Sequence, residues 1–226
     1  MVHVDLRRRG LIGAAGLVLA APALAEAPKK KSEPAVTATE DLMREHGVLG
    51  RILLIYEAGI RRLGQGEDFD PAVFTQAAET MRDFVHDYHE KSEEEQVFPR
   101  FKKAGRMVEL VEILFAQHTA GRQLTERIAK AAPASSDSKE ERTAMVEAMK
   151  MSITLYRPHM SREDTDIFPT LRSLVTPSEF DAMAETLEKL ENAKFGGDGF
   201  EKIAKRVEGL EKRIGIHDLA QFTPKT

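Results

Sequence analysis

The fold is decided by an eleven-residue stretch that the chain carries twice, as His89-Glu-Lys-Ser-Glu93-Glu-Glu-Gln-Val-Phe-Pro99 and as His159-Met-Ser-Arg-Glu163-Asp-Thr-Asp-Ile-Phe-Pro169. In both copies a histidine, a glutamate four residues later and a Phe-Pro pair keep the same spacing. Residues four apart lie about one turn apart on the same face of a helix. Each copy can therefore offer an imidazole and a carboxylate to one metal centre.

A single histidine also precedes each copy by about forty residues. His46 lies 43 residues before His89, and His118 lies 41 residues before His159. A set of four imidazoles and two carboxylates suits a pair of iron ions, with manganese as the alternative metal. The predicted metal ligands are His46, His89, Glu93, His118, His159 and Glu163.

One His-x-x-x-Glu sequence in a charged helix is typical of a surface ion pair, and it is the duplication that favours a metal site. The first copy also contains a competing pair, His86 and Glu90. We favour His89 because its distance to the Phe-Pro pair matches that in the second copy, and because the apolar arc of the helix centres nearer to it. His86 stays open as an alternative ligand, and so does Asp164, five residues after His159.

Residues 1–25 have the three parts of a signal peptide. Three consecutive arginines precede an apolar stretch, Leu11 to Ala25, that ends in an Ala-Leu-Ala cleavage motif and is too short to span a membrane. Arg8-Arg9-x-Leu-Ile resembles the twin-arginine export signal, with an ordinary secretion signal as the alternative. We therefore predict export to the bacterial periplasm and a flexible leader over residues 26–37.

The composition limits the chemistry that is available. The chain has no cysteine, which excludes disulfides, iron–sulfur clusters and thiolate zinc sites, so a metal has to be held by nitrogen and oxygen. The net charge of −4 and the lack of a large basic patch argue against nucleic acid as a partner.

Apolar residues recur every three to four positions, which is the period of an amphipathic helix, and the sequence has no strand-like alternation. Glycines and prolines divide the pattern into four long helices with short connections. These features predict an all-α fold, an antiparallel up-down four-helix bundle over residues 38–174. The helices are predicted to begin near Leu42, Pro71 and Met107 and after Ser138, and to carry His46, His89, His118 and His159 in that order.

Residues 175–226 form a predicted helical extension to the bundle. Thr176-Pro177-Ser178-Glu179 has the pattern of a capped helix start. The glycine-rich stretch 196–199 separates this helix from a second amphipathic segment. We expect both helices to pack on the bundle, and homodimerisation through them is the alternative.

The motifs together resemble the hemerythrin-like proteins of the HHE cation-binding type, from Leu42 to about Leu174. The resemblance implies a four-helix bundle around a non-haem di-iron centre, with Glu93 and Glu163 bridging the irons. The oxygen-carrying hemerythrins place a second histidine four residues after the one on the third helix, where this chain has Arg122. The chain is therefore more similar to the four-His, two-Glu relatives linked to nitric oxide, iron-centre repair or oxygen sensing.

Two irons with six protein ligands leave an open position for a small molecule. We expect a periplasmic di-iron protein that binds O₂ or NO for sensing, scavenging or delivery. The alternatives are a di-iron oxidoreductase that consumes peroxide or NO with electrons from a partner, and an iron storage or transfer protein. A ferritin-like oxidase is not expected, because such sites use Glu-x-x-His pairs and no histidine here has a glutamate three residues before it.

Overall fold

The computed structural model describes residues 36–197 and 199–224, and every regular element in these ranges is helical. The all-α class predicted from the sequence is therefore confirmed. The predicted signal peptide and most of the predicted leader lie outside the described residues. The helices are α1 (Ala38–Gln65), α2 (71–104), α3 (Val108–Ala131), α4 (139–174), α5 (Pro177–Phe195) and α6 (Gly199–Arg213).

Helix α1 begins four residues before the predicted start. The Thr37 side chain accepts a hydrogen bond from the backbone N–H of Glu40, and the Glu40 carboxylate accepts one from the backbone N–H of Thr37 at 2.9 Å. This capping box satisfies N–H groups that the first turn of a helix leaves unpaired. The helix ends at Gln65 and is capped by Gly66, whose left-handed φ of 71° suits glycine.

Both copies of the repeated stretch contain a widened helical turn that begins at the predicted glutamate ligand. The N–H of Phe98 donates to the carbonyl of Glu93, and the N–H of Phe168 donates to that of Glu163, five residues back instead of four. The proline that follows each phenylalanine has no N–H to continue the ordinary pattern, and such π-helical turns occur frequently at functional sites. Helix α2 comprises α-helical Pro71–Thr80, π-helical Met81–Glu90 and Glu93–Val97, and α-helical Phe98–Ala104, whereas α4 comprises α-helical Lys139–Arg162, π-helical Glu163–Ile167 and α-helical Phe168–Leu174.

The four long helices pack around a common core. Helix α1 contacts α2 and α4, and α3 contacts the same two helices, which fits a four-helix bundle. The buried apolar side chains form two clusters, named here the Leu42 cluster and the Val48 cluster after one member of each. Each helix passes from one cluster to the other at its predicted ligands, so the ligands form a polar layer between two apolar ones. The flanking cluster members are Leu42 and Val48 on α1, Tyr88 and Val97 on α2, Leu114 and Leu124 on α3, and Tyr156 and Ile167 on α4.

Helices α5 and α6 cover the bundle with their apolar stripes. Phe180 and Met183 of α5 belong to the Leu42 cluster, and Ile203 and Val207 of α6 belong to the Val48 cluster. Most of both stripes is thus buried within one chain, which is the packing that we favoured from the sequence, whereas Leu190 at the end of the α5 stripe is exposed. Among the described residues, no helix combines the length and the apolar character needed to cross a membrane.

Candidate metal centre

The six predicted ligands come together in the polar layer as two overlapping groups, each with its ligand atoms within 4.8 Å of one another. The His46/His89 position consists of His46, His89 and Glu93, and the His118/His159 position consists of Glu93, His118, His159 and Glu163. Glu93 belongs to both. Glu163 Oε2 lies 3.0 Å from His159 Nε2 and 3.3 Å from His46 Nε2. Both carboxylates therefore lie between the two positions, as bridging ligands would.

The two glutamates are buried without hydrogen-bond partners. Glu93 and Glu163 are both 0% exposed, and within the described ranges none of their four carboxylate oxygens accepts a hydrogen bond. A carboxylate taken out of water costs several kcal/mol unless a cation or hydrogen-bond donors compensate it. The closest nitrogens are those of the predicted ligands, such as His118 Nε2 at 3.5 Å from Glu93 Oε2. This donor set therefore fits a bound metal.

Each of the four histidines is held at Nδ1 by an oxygen acceptor. Ionised carboxylate and amide oxygens only accept hydrogen bonds, so in a metal-bound centre each Nδ1 would carry the proton and each Nε2 would offer its lone pair to the metal. Metal-binding histidines are usually oriented by such a bond. The acceptors are Asp164 for His46 at 2.7 Å, Glu45 for His89 at 2.6 Å, Glu94 for His118 at 2.9 Å and Gln117 for His159 at 3.0 Å.

Two of these lone pairs face each other across the His118/His159 position. The two Nε2 atoms are 3.2 Å apart, and their Nδ1 atoms donate to Glu94 and Gln117 respectively. Two acceptor nitrogens at this distance repel each other unless a cation or a proton compensates them. A metal ion between the two nitrogens would supply this compensation, so the histidine geometry also fits a metal site.

None of the four Nδ1 acceptors was predicted to have this role. Glu45 and Gln117 directly precede a predicted ligand, and Glu94 and Asp164 directly follow one. Each, however, holds a histidine on another helix, so the register between helices decides the pairing and spacing within one helix cannot predict it. Asp164, which the sequence left open as a ligand, accepts from His46 Nδ1 and is absent from both positions.

The phenylalanine of each Phe-Pro pair packs on one of the single histidines. Phe98 stacks on His118 with ring centroids 5.4 Å apart, and Phe168 stacks on His46 at 5.5 Å. Each ring thus closes the apolar side of the centre and fixes the plane of an imidazole. This contact explains why the phenylalanine recurs at the same distance from the ligands in both copies.

The competing pair His86 and Glu90 lies in a separate polar network beside the centre. His86 Nε2 is 2.8 Å from Thr125 Oγ1, and its Nδ1 is 3.0 Å from Glu90 Oε2. The hydroxyl of Tyr156 donates to Glu90 Oε1 at 2.9 Å. Both ring nitrogens of His86 thus face partners outside the two positions. The pair that lies at the centre is His89 with Glu93, which is the pair that we favoured from the sequence.

Arg122 stands where the oxygen carriers have their additional histidine. One of its guanidinium nitrogens lies 2.6 Å from Glu94 Oε1 and 3.2 Å from Glu90 Oε2. A guanidinium stays protonated and has no lone pair to give to a metal. Arg122 therefore joins the polar network to the acceptor of His118 and adds no ligand.

Burial and charge act in opposite directions on the buried histidines. Burial lowers the pKa of His46, but its hydrogen bond to Asp164 and the negative charge of the nearby Glu163 outweigh burial and raise the pKa to about 10. The same balance raises the pKa of His118 to about 10. At His89 burial prevails and lowers the pKa to about 4. Without a metal the centre therefore holds protons, and a metal that binds there has to displace them.

Comparison with known proteins agrees with this geometry. The family model described as the hemerythrin HHE cation binding domain matches residues 37–171. Uncharacterized proteins of Mycobacterium tuberculosis and Mycobacterium bovis are 45% identical over 196 residues, which cover 86% of this chain and 76% of theirs. No solved structure matches. The chain therefore belongs to the hemerythrin HHE cation-binding domain family, as its repeated motif predicted.

Proposed function

We propose that the protein is a non-haem di-iron protein of the periplasm that binds a small diatomic molecule, O₂ or NO, for sensing, scavenging or delivery. Its ligands are His46 and His89 at one position and His118 and His159 at the other, with the two glutamates as bridges. The alternation of the Leu42 and Val48 clusters along α1 to α4 supports an antiparallel up-down order of the helices. The signal-like residues 1–25 support the periplasmic location.

One observation carries the proposal. Four fully buried carboxylate oxygens without hydrogen-bond partners lie among four histidines, all of which have Nδ1 engaged elsewhere. Two divalent cations would compensate both the carboxylates and the facing lone pairs. Iron suits imidazole and carboxylate ligands together.

When bound, two irons would supply an open coordination position at which a small molecule can bind. The residues around that position leave little room. Phe98 and Phe168 are buried against His118 and His46, and Tyr156 is buried with its ring 5.9 Å from that of His159. Such a lining favours an apolar diatomic molecule over a bulky substrate.

A second candidate, an oxidoreductase that consumes peroxide or NO, is favoured by the polar network. Arg122 has a side chain about one third exposed, and it pairs with Glu90, which in turn accepts from Tyr156. These contacts form a chain of hydrogen-bonding groups from a partly exposed cation to a residue beside His159. Turnover would also need electrons from a partner protein.

Anaerobic reduction followed by addition of O₂ or NO, with optical spectra, separates the candidates. A stable spectrum that reverts when the gas is removed supports the binding protein. Repeated consumption of the gas or of peroxide in the presence of excess reductant supports the oxidoreductase. An iron-loaded protein that responds to neither gas and does not consume peroxide would contradict both and leave iron storage or transfer.

A further inference from the structure

The two halves of the centre correspond residue by residue, and the Nδ1 acceptors follow the same correspondence. The acidic residue after each bridging glutamate holds a single histidine, Asp164 for His46 and Glu94 for His118. The residue before each single histidine holds the histidine of the repeated motif. In this second pair the chemistry differs, because His89 donates to the Glu45 carboxyl whereas His159 donates to the amide oxygen of Gln117.

The acceptors of the two single histidines also differ in the negative charge that they offer, again in favour of the His46/His89 position. Glu94 shares one oxygen between His118 and Arg122, whose guanidinium lies 2.6 Å away. Asp164 binds His46 at 2.7 Å and has a side chain that is 38% exposed. The His46/His89 position is therefore held by two acidic acceptors, and the His118/His159 position by a neutral amide and a carboxylate paired with a cation.

An ionised acceptor at Nδ1 makes Nε2 a stronger donor to a metal, because negative charge at one side of the imidazole raises the basicity of the other. Burial raises the pKa of Glu45 to about 8 in the metal-free chain, and the positive charge of a bound metal ion favours its ionised form. A neutral amide orients the ring equally well but adds no charge. We propose that the two metal positions are unequal, with the His46/His89 position taking the first divalent ion and the His118/His159 position the second, and that Glu45 and Gln117 set this order. The inference rests on the proposed di-iron function and deepens it.

Glu45 and Gln117 also differ in their exposure to water, which matters for a test that replaces each residue by the other type. Glu45 is 2% exposed. Gln117 lines an open groove of about 580 Å³ between α3 and α4, where a new carboxylate would stay in contact with water. Gln123 lines the same groove and is exposed, so Gln123→Glu adds the same charge nearby without contacting His159.

The test is an anaerobic titration of the metal-free full chain with iron(II), in competition with a coloured chelator. Loss of an acceptor of this kind changes metal affinity by about 10- to 100-fold, so the wild-type chain should bind its two ions in steps separated by a factor of that order. Gln117→Glu should tighten the weaker step, and Glu45→Gln should weaken the tighter one, so that each variant brings the steps together. Gln123→Glu should leave the separation unchanged.

Two histidine variants assign the steps to positions. His159→Ala should keep the tighter step and lose the weaker, and His89→Ala should do the reverse. Two equal steps in the wild-type chain, or an unchanged separation in both Gln117→Glu and Glu45→Gln, would overturn the inference while leaving the di-iron proposal intact. Failure of the wild-type chain to hold iron against the chelator would instead overturn the di-iron proposal, and this inference with it.

Discussion

Replacement of Gly121 by alanine should destabilise the protein although it improves the helix propensity of α3. A β-carbon at this position would lie 1.9 Å from the hydroxyl oxygen of Tyr156 and 2.7 Å from its Cζ. Tyr156 is fully buried, and its hydroxyl donates to Glu90 at 2.9 Å. The tyrosine therefore has to move, and the hydrogen bond has to break or lengthen.

The substitution changes the free energy of unfolding in two opposite ways, through helix propensity and through packing. Alanine in place of glycine gains about 0.5–1 kcal/mol in a helix interior. Overpacking a well-filled core costs about 1–3 kcal/mol, and loss of a hydrogen bond to a charged group costs about 1.5–3 kcal/mol more. We expect the free energy of unfolding to fall by about 2–4 kcal/mol, which lowers Tm by about 4–16 °C for a chain of this length.

Thermal and urea unfolding of the metal-free chain, followed by circular dichroism, would measure this change. Gly50→Ala in α1 is the control, because nothing lies within 4 Å of a β-carbon there, and it should raise stability by up to about 1 kcal/mol. The loss in Gly121→Ala should shrink in a Tyr156→Phe background, which lacks the closest atom. An unfolding midpoint in Gly121→Ala that equals or exceeds the wild-type value would refute the packing argument.

Three further predictions concern metal binding, export and helix capping. His89→Ala should lose about half of the iron, the ion at the His46/His89 position, while His86→Ala keeps both ions, as measured by metal analysis. The opposite result would shift the ligand register by three residues. Replacing both Arg8 and Arg9 by lysine should leave uncleaved precursor in the cytoplasm on immunoblots of cell fractions, whereas normal periplasmic accumulation would point to the ordinary secretion route. Thr176→Ala should cost about 1 kcal/mol in urea unfolding through loss of the α5 cap, and an unchanged midpoint would contradict the capping role.

The repeat, together with the single histidine upstream of each copy, predicted the six residues that the structure brings together in the polar layer. His89 with Glu93 and His159 with Glu163 are local pairs, so helical geometry alone places each pair on one face. The choice between His86 and His89 also followed from the repeat, because only His89 lies at the same distance from the Phe-Pro pair as His159 does in the second copy. The apolar period identified the helices but not the start of α1, although the Thr37–Glu40 capping box was present in the sequence.

The contacts that orient the ligands could not be predicted in this way. Glu45 holds a histidine of α2, and Gln117 holds one of α4, so the pairing depends on how far each helix is shifted along its neighbour. The π-helical turns were also missed, since a pattern of apolar residues does not separate a turn of 3.6 residues from a slightly wider one. The sequence showed that Arg122 occupies the position of a histidine ligand of the oxygen carriers. Its ion pair with Glu94 could be found only from the structure.

The most direct test of the di-iron centre is the iron content of the purified protein after expression in iron-supplemented medium. We predict close to two irons per chain in the wild type and loss of most of this iron in Glu93→Gln, which keeps the size of the side chain but removes a bridging carboxylate. Glu95→Gln is the matched control on the same helix, because the Glu95 side chain is 51% exposed, and it should keep both irons. Wild-type protein with almost no iron, or Glu93→Gln with as much iron as Glu95→Gln, would contradict the account.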